Sequence, residues 1–495
     1  MQSGSRTPHV LVVGAGISGL AAAHALLASR RPDRPLEVTV LEATDRPGGK
    51  LRTIDLDGMP VEAGADSFVV RKPWAVELCE ELGLGDDVVI PGSWGAFVWT
   101  RGELIAYPDR SPFGIPSNAG DLLSWQGLPR GPKLRALLDL IRPARKGPGD
   151  EALGSLLRRR LGPRASRVLV EPLLGGLHAG DPMRLSVLAT FPELKEWEVR
   201  HGSLLRGAKA AIATAGEDKG YMPMFATLWG GLSGLVDRLV DGLGRDSLLL
   251  RHPVEAIEAE GGLFSIVTRG DGEQPARADA VILATPAYES ARVIQSLSPD
   301  ASSELAEIPY GSTAVVFFVY PQGTASRLPQ GTGFVVPEGE ATMTACTWIS
   351  RKWPRREFGD RAVLRCFVGR AGAEEALQLS DEELTAVVSG EVEAGTPLGV
   401  EPSASRVARW DRSMPQYEVG HLERLARIEE ALSKVPGLFV AGSAYRGVGI
   451  PDCIRQGREA AERVVGYLEL KRGSRGEAAP RSEAERNRLL QSPWR

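Results

Sequence analysis

Val10-Leu11-Val12-Val13, running straight into Gly14-Ala15-Gly16-Ile17-Ser18-Gly19, decides the fold of this 495-residue chain. Four apolar residues without alternation suit a parallel strand buried on both faces. The glycines that follow have separate tasks. Gly14 permits the tight turn leaving the strand, Gly16 lets backbone approach a pyrophosphate, and Gly19 lets the next helix pack closely on the sheet. Residues 18–29, rich in Ala and Leu, read as that helix, and 36–41 as a second strand ending at Glu42. The helix start near Ile17 aims unpaired N–H groups and a positive dipole end at an anion. Glu42 can accept from both hydroxyls of an adenosine ribose and disfavours a 2′-phosphate, which argues against NADP.

Two further stretches complete the pattern. In Arg46-Pro47-Gly48-Gly49, the adjacent glycines allow backbone to run against a cofactor, and Arg46 can reach phosphates as a forked donor. Nearly 400 residues later, the apolar residues 438–441 read as a strand leading to Gly442, and Gly447 and Gly449 open a helix near Asp452. Backbone N–H groups at such a helix start can stabilise negative charge on the N1/O2 edge of a reduced flavin. A cofactor gripped from both ends of a chain points to FAD, and FAD narrows the chemistry to electron transfer.

The bulk numbers set limits. The length exceeds one core, so two domains are expected. Hydrophobic content of 43% and charged content of 25% suit a globular enzyme, and a net charge of −4 implies no bulk attraction to nucleic acid. The four cysteines lack CxxC spacing and the six histidines are dispersed, so neither a disulfide framework nor a metal site is expected. A first strand by about residue 9 and no apolar run near 18 residues predict a cytoplasmic, non-spanning protein. The fold class is α/β, with a discontinuous FAD-binding Rossmann-like domain (1–90, 225–300 and 410–470) interleaved with an α+β substrate domain. Residues 91–224 form its helical, membrane-facing region and 301–409 its substrate-binding sheet, with disorder expected over 471–495. Residues 73–85 read as an amphipathic helix closed by Gly85. Lys133-Leu134-Arg135-Ala136-Leu137-Leu138 and Leu156-Leu157-Arg158-Arg159-Arg160-Leu161 mix cations with leucines. They read either as solvated helix faces or as peripheral contact with the inner face of a membrane.

Several stretches carry a more specific signal: 171–181 (EPLLGGLHAGD), Leu185-Ser186, Thr190-Phe191-Pro192, Met414-Pro415-Gln416-Tyr417, Gly420-His421-Leu422 and Asp452-Cys453-Ile454. With the glycine motifs, they make the chain resemble the oxygen-dependent protoporphyrinogen/coproporphyrinogen oxidases of the amine-oxidase-like FAD superfamily, over residues 8–468. The resemblance implies FAD contacts at Gly14, Ala15, Gly16, Ile17, Ser18, Gly19, Glu42, Ala43, Lys50, Gly64, Ala65, Asp66, Ser67, Val254, Trp410, Val448, Gly449 and Ile450, beside the motif residues Arg46, Gly49 and Gly442. Ser443 stands where the wider superfamily has Asp, as it does in porphyrinogen oxidases. The implied reaction oxidises a tetrapyrrole with O2 and yields hydrogen peroxide.

Asp66-Ser67-Phe68-Val69-Val70-Arg71-Lys72 resembles the DSFxxRK stretch of Gram-positive-type coproporphyrinogen oxidases. Arg71 or Lys72 could pair with a propionate, though both also read as plain exposed cations. Coproporphyrinogen III, with four propionates, is favoured over protoporphyrinogen IX, with two. The pocket is expected between strands 313–320, 333–336 and 363–368 and a loop over 174–177, with Leu174 and Gly175 as substrate contacts. No Ser/His/Asp set, paired carboxylates or metal cluster is apparent, so no catalytic side chain is assigned. His178 reads as structural, and Tyr445 as either flavin-facing or plain packing. An amine or carotenoid oxidoreductase, or a flavin-less binding protein similar to Rab GDP-dissociation inhibitors, stays open on the same fold. A homodimer rests on base rates alone.

Overall fold

His9–Val13 is the centre of a five-stranded parallel sheet ordered Leu248–Leu249, Glu37–Leu41, His9–Val13, Ala280–Leu283, Leu438–Val440. Val12 pairs with Val40 on one side and Ile282 on the other, and Ile282 pairs with Phe439. Start, middle and end of the chain therefore lie side by side. Helices Ile17–Ala28, Ser233–Leu243 and Ile450–Ser474 cover one face. The antiparallel strands Val254–Glu260, Leu263–Thr268 and Ala276–Ala278, with three further helices, cover the other. That double cover is why these short strands read as unbroken apolar runs. The computed structural model describes residues 6–474 apart from 109, 146, 148, 216–223, 270–275 and 354.

A second sheet has seven strands, ordered Ala404–Pro415, Tyr310–Gln322, Arg361–Val368, Met343–Trp348, Gly333–Val335, Phe97–Thr100, Glu103–Ala106. The sheet expected within 301–409 is thus extended by a hairpin from the segment read as helical, Phe97 standing beside Phe334 in a parallel pairing. The rest of that segment is largely helical, including Leu153–Leu161, Glu171–His178, Pro192–His201 and Leu204–Ala215.

Three local expectations need correction. Trp74–Glu81 ends earlier than Gly85: Gly83 takes the left-handed turn (φ 71°) and Leu84 N–H closes it on Cys79 O at 2.7 Å. Disorder is expected from 471, but Ile450–Ser474 is helical through that point; residues 475–495 lie outside the described residues. The basic runs do not present their cations outward. Arg158 pairs with Glu171, Arg159 with Glu151 and Glu198, and Arg160, fully buried, with Asp139. Lys133 is 9% exposed and donates to Leu123 O at 2.7 Å, whereas Leu134 and Ile141 are 60% and 78% exposed. Backbone carbonyls and acids inside the helical region outcompete water for these cations. Among the described residues, no helix is long and apolar enough to cross a membrane.

Candidate functional site

The two ends of the chain meet through their helices. A Cβ on Gly457 of Ile450–Ser474 would lie 2.2 Å from Ser18 O, so only glycine permits this approach to Ile17–Ala28. Glycine is likewise required at Gly19, where a Cβ would fall 1.9 Å from Gly14 O. Gly16 differs: nothing stands within 4 Å of its Cβ position. That open space is a cradle at the N-terminus of Ile17–Ala28, where an anion is favoured. Gly16 also pairs with Gly48 in a parallel bridge, and Gly48 N–H donates to Ala15 O at 2.8 Å, so the two glycine motifs close on each other.

A cavity of about 2150 Å³ opens from this cradle. Small-molecule pockets usually span roughly 300–1,000 Å³, so the space exceeds what one ligand needs. Gly14, Gly16, Ile17, Ser18, Glu42, Ala43, Gly49, Lys50, Gly64, Ala65, Asp66, Ser67, Val254, Trp410, Gly442, Val448, Gly449 and Ile450 all line it, as do Arg71, Lys72, Leu174 and Gly175. Ala15, Gly19 and Arg46 do not. Ala15 and Gly19 shape the turn behind the lining. Arg46 is spent on its own loop, its guanidinium donating to Gly49 O at 2.6 Å and Pro47 O at 3.2 Å. It braces the double glycine instead of reaching into the cavity.

Glu42 is held by three donors: Ala15 N–H at 2.9 Å, Thr44 N–H at 2.9 Å and Thr44 Oγ1 at 2.8 Å. Oε2 accepts from Ala15 N–H alone and keeps room for a further donor. Burial lowers the pKa of Lys50, whose Nζ donates to Ser443 Oγ at 3.4 Å across the two chain ends. Burial alone would raise Asp66, but Lys352 (2.8 Å) and Arg365 (3.7 Å) override it and hold the carboxyl far below its ordinary range. Arg365 also donates to Gly64 O, and Trp410 Nε1 to Ala63 O at 2.8 Å, so the large sheet fixes residues 63–66 from behind.

At the C-terminal turn, Tyr417 is the organiser that sequence reasoning missed. Its buried hydroxyl donates to Ser443 O at 2.6 Å and accepts from Gly447 N–H at 3.0 Å. A buried tyrosine needs such partners, and that was the available signal. Its ring stacks on His421 at 4.1 Å, and His421 Nε2 donates to Tyr445 O at 3.0 Å. Lys72 pairs with Asp452 at 2.6 Å in the first turn of Ile450–Ser474, and Arg71 lies 3.7 Å from Glu193. Further out, Phe113, Phe191 and Trp197 form an aromatic wall, Phe113 lying 5.8 Å from Phe191 and 5.6 Å from Trp197. His178 packs edge-on to Phe191 at 5.5 Å, with Nδ1 buried and without a partner among the described residues. The expected strands contribute Thr313, Val315, Val335, Val336, Arg365 and Phe367 to the lining. Among the described residues, no group of His, Cys, Asp and Glu could hold a metal ion.

The buried histidines make acid stability testable. Burial lowers His178 and His421 to about 4, for His178 with help from Lys72 and for His421 against its bond to Tyr445. The unfolded chain, near 6.5, binds more protons in between, so this stability is full above 6.5 and is lost as pH falls toward 4. Two such groups give a slope of up to about 2.7 kcal/mol per pH unit. His421→Gln is expected to halve that slope in denaturant titrations between pH 6.5 and 4.5. An unchanged slope would remove His421 from this account.

A glycine cradle built from both ends of the described chain, opening on a largely apolar chamber, marks the class as a cofactor-dependent oxidoreductase. Residues 17–465 match the model of the family described as flavin containing amine oxidoreductase. The coproporphyrinogen III oxidase of Bacillus subtilis (strain 168) is 35% identical, covering 93% of this chain and 98% of that protein. That of Staphylococcus aureus (strain NCTC 8325 / PS 47) is 31% identical over 93% of this chain and 100% of its own length. A crystal structure named "Putative protoporphyrinogen oxidase from Exiguobacterium sp. 255-15" superposes with a TM-score of 0.82 at 34% identity, covering 94% of this chain and all of that one. The chain belongs to the flavin containing amine oxidoreductase family.

Proposed function

We propose that this protein is an FAD-dependent oxidase converting a porphyrinogen to the porphyrin, with coproporphyrinogen III as the favoured substrate. The overall balance removes six electrons and six protons from the macrocycle and reduces three O2 to three hydrogen peroxide. The observation that carries this reading is the size and make-up of the cavity, about 2150 Å³, whose lining joins a glycine cradle to aromatic and cationic side chains. The names of the similar proteins point the same way.

In this reading the turn at 14–19 and the first N–H groups of Ile17–Ala28 hold the pyrophosphate, and Glu42 takes one ribose hydroxyl. When bound, the flavin supplies the hydride acceptor and the relay of electrons to O2. Ser443 and Gly447, pinned by Tyr417, present the start of Ile450–Ser474 to the flavin edge, where a helix N-terminus favours negative charge. Ala63, fixed by Trp410, and Gly64, fixed by Arg365, give the cofactor a rigid second wall. The apolar sheet residues Val315, Val335 and Phe367 exclude water from the chamber, and the protein's task is orientation. Purified protein supplied with coproporphyrinogen III and protoporphyrinogen IX in parallel is expected to produce coproporphyrin III faster, with oxygen consumed and peroxide formed in step. Turnover of amines with neither porphyrinogen oxidised would overturn the assignment.

A further inference from the structure

We propose that Arg167 is the fixed carboxylate-binding residue of the chamber and takes a propionate of the tetrapyrrole, an inference that rests on the porphyrinogen reading above. Arg167 lines the cavity, and its Nε is buried without a hydrogen-bond partner. Among the described residues no carboxylate lies within salt-bridge distance of it. Every other arginine of the lining lies within 4 Å of an acid in this same chain. Lys72 and Lys352 are paired likewise. Lys50 has no acid partner either, but it donates to Ser443 at the cofactor end. One guanidinium in the substrate-side wall is therefore left with its charge and part of its donor fork unanswered.

The backbone under Arg167 is built to hold it still. Ser166–Val170 is a π-helical turn, whose wider winding re-aims side chains relative to the flanking α-turns. Tyr107 Oη donates to Leu169 O at 2.9 Å, and Gly114 packs so closely that a Cβ would meet the same oxygen at 2.6 Å. Next to Gly114, Phe113 accepts a left-handed backbone (φ 56°) and stands in the aromatic wall. A flat, apolar macrocycle edged with carboxylates matches this juxtaposition of aromatic wall and unpaired guanidinium. The planar fork binds a carboxylate bidentately, which a flexible surface lysine does less well. Arg71 and Lys72, by contrast, would have to leave Glu193 and Asp452 first.

The test uses the FAD-loaded full chain and the variants Arg167→Met and Arg167→Lys. It follows KM and kcat for coproporphyrinogen III and its tetramethyl ester, and fluorescence titration with coproporphyrin III. R167M is expected to raise KM and the porphyrin Kd about tenfold or more, the range of a lost charged hydrogen bond, with kcat and flavin absorbance kept. R167K is expected to recover part of the affinity, and neither variant to differ from wild type on the ester. Wild-type KM and Kd in R167M, or equal losses on acid and ester, would overturn the proposal. Should R167M fail to fold, R167K decides by the same acid-against-ester comparison. Failure of the porphyrinogen reading would look different: wild-type protein that neither oxidises a porphyrinogen nor binds coproporphyrin III.

Discussion

Gly16→Val is expected to give a folded, colourless protein. Gly16 caps Ile17–Ala28 with φ −71° and ψ 174°, a conformation open to any residue, and its Cβ position meets nothing within 4 Å. The apo chain therefore leaves open space where the new side chain begins. The bound cofactor would leave none, because the isopropyl group falls in the cradle proposed for the pyrophosphate. Flavin binding should weaken at least about a hundredfold, ~2.7 kcal/mol, read by titration with FAD and by loss of absorbance near ~450 nm. The melting temperature should stay within a few degrees of apo wild type. Gly19→Ala is the contrast, since its methyl would meet Gly14 O at 1.9 Å and strike the fold itself. A yellow G16V protein with wild-type affinity would put the nucleotide elsewhere.

Arg160→Met is expected to cause the largest loss of stability among single changes in the helical region. Arg160 is fully buried and donates to the Asp139 carboxylate, Asp139 O (2.7 Å), Arg142 O (3.0 Å), Pro143 O (3.2 Å) and Gly202 O. Methionine fills much of the volume but answers none of these acceptors. Asp139, also fully buried, would keep only Ser203 Oγ and Leu205 N–H. Breaking a buried pair by removing one partner costs about 3–5 kcal/mol, because the surviving charge stays desolvated. Denaturant unfolding should register that loss, and R160M with D139L together should recover part of it. A loss under about 1 kcal/mol, the range of an exposed ion pair, would mean that the run 156–161 is a surface after all.

Much of the glycine cradle was legible because two of its three glycines are backbone requirements. Gly14 and Gly19 are demanded by a turn and a helix contact, whereas Gly16 answers only to the approach proposed for the pyrophosphate, and all three are local to one strand–turn–helix. The hairpin Thr53–Leu56 to Met59–Glu62 has a local signal of the same kind in its Asp57-Gly58 turn, with φ 54° and 75°. Arg46 was misread for the opposite reason. A forked cation near phosphate-binding glycines suggests phosphate contact, and only the fold shows the carbonyls of its own loop already occupying it. Charge in the helical region misled similarly. Adjacent arginines look solvated on a helical wheel, yet their acids come from Asp139, Glu151, Glu171 and Glu198, scattered along the chain.

Glycine spacing, apolar runs and a strand-ending acid were sufficient for the α/β architecture, the glycine cradle and the meeting of the two chain ends, because steric rules act between near neighbours and each leaves a mark in residue order. Which cations are answered by acids, which way Tyr417 turns its hydroxyl, and that a hairpin at 97–106 joins a sheet made mostly of residues beyond 300 came from the folded chain alone. Those outcomes depend on competition among partners distant in the sequence, and among the described residues no acid lies within salt-bridge distance of Arg167 in the chamber wall, whose Nε is buried without a partner.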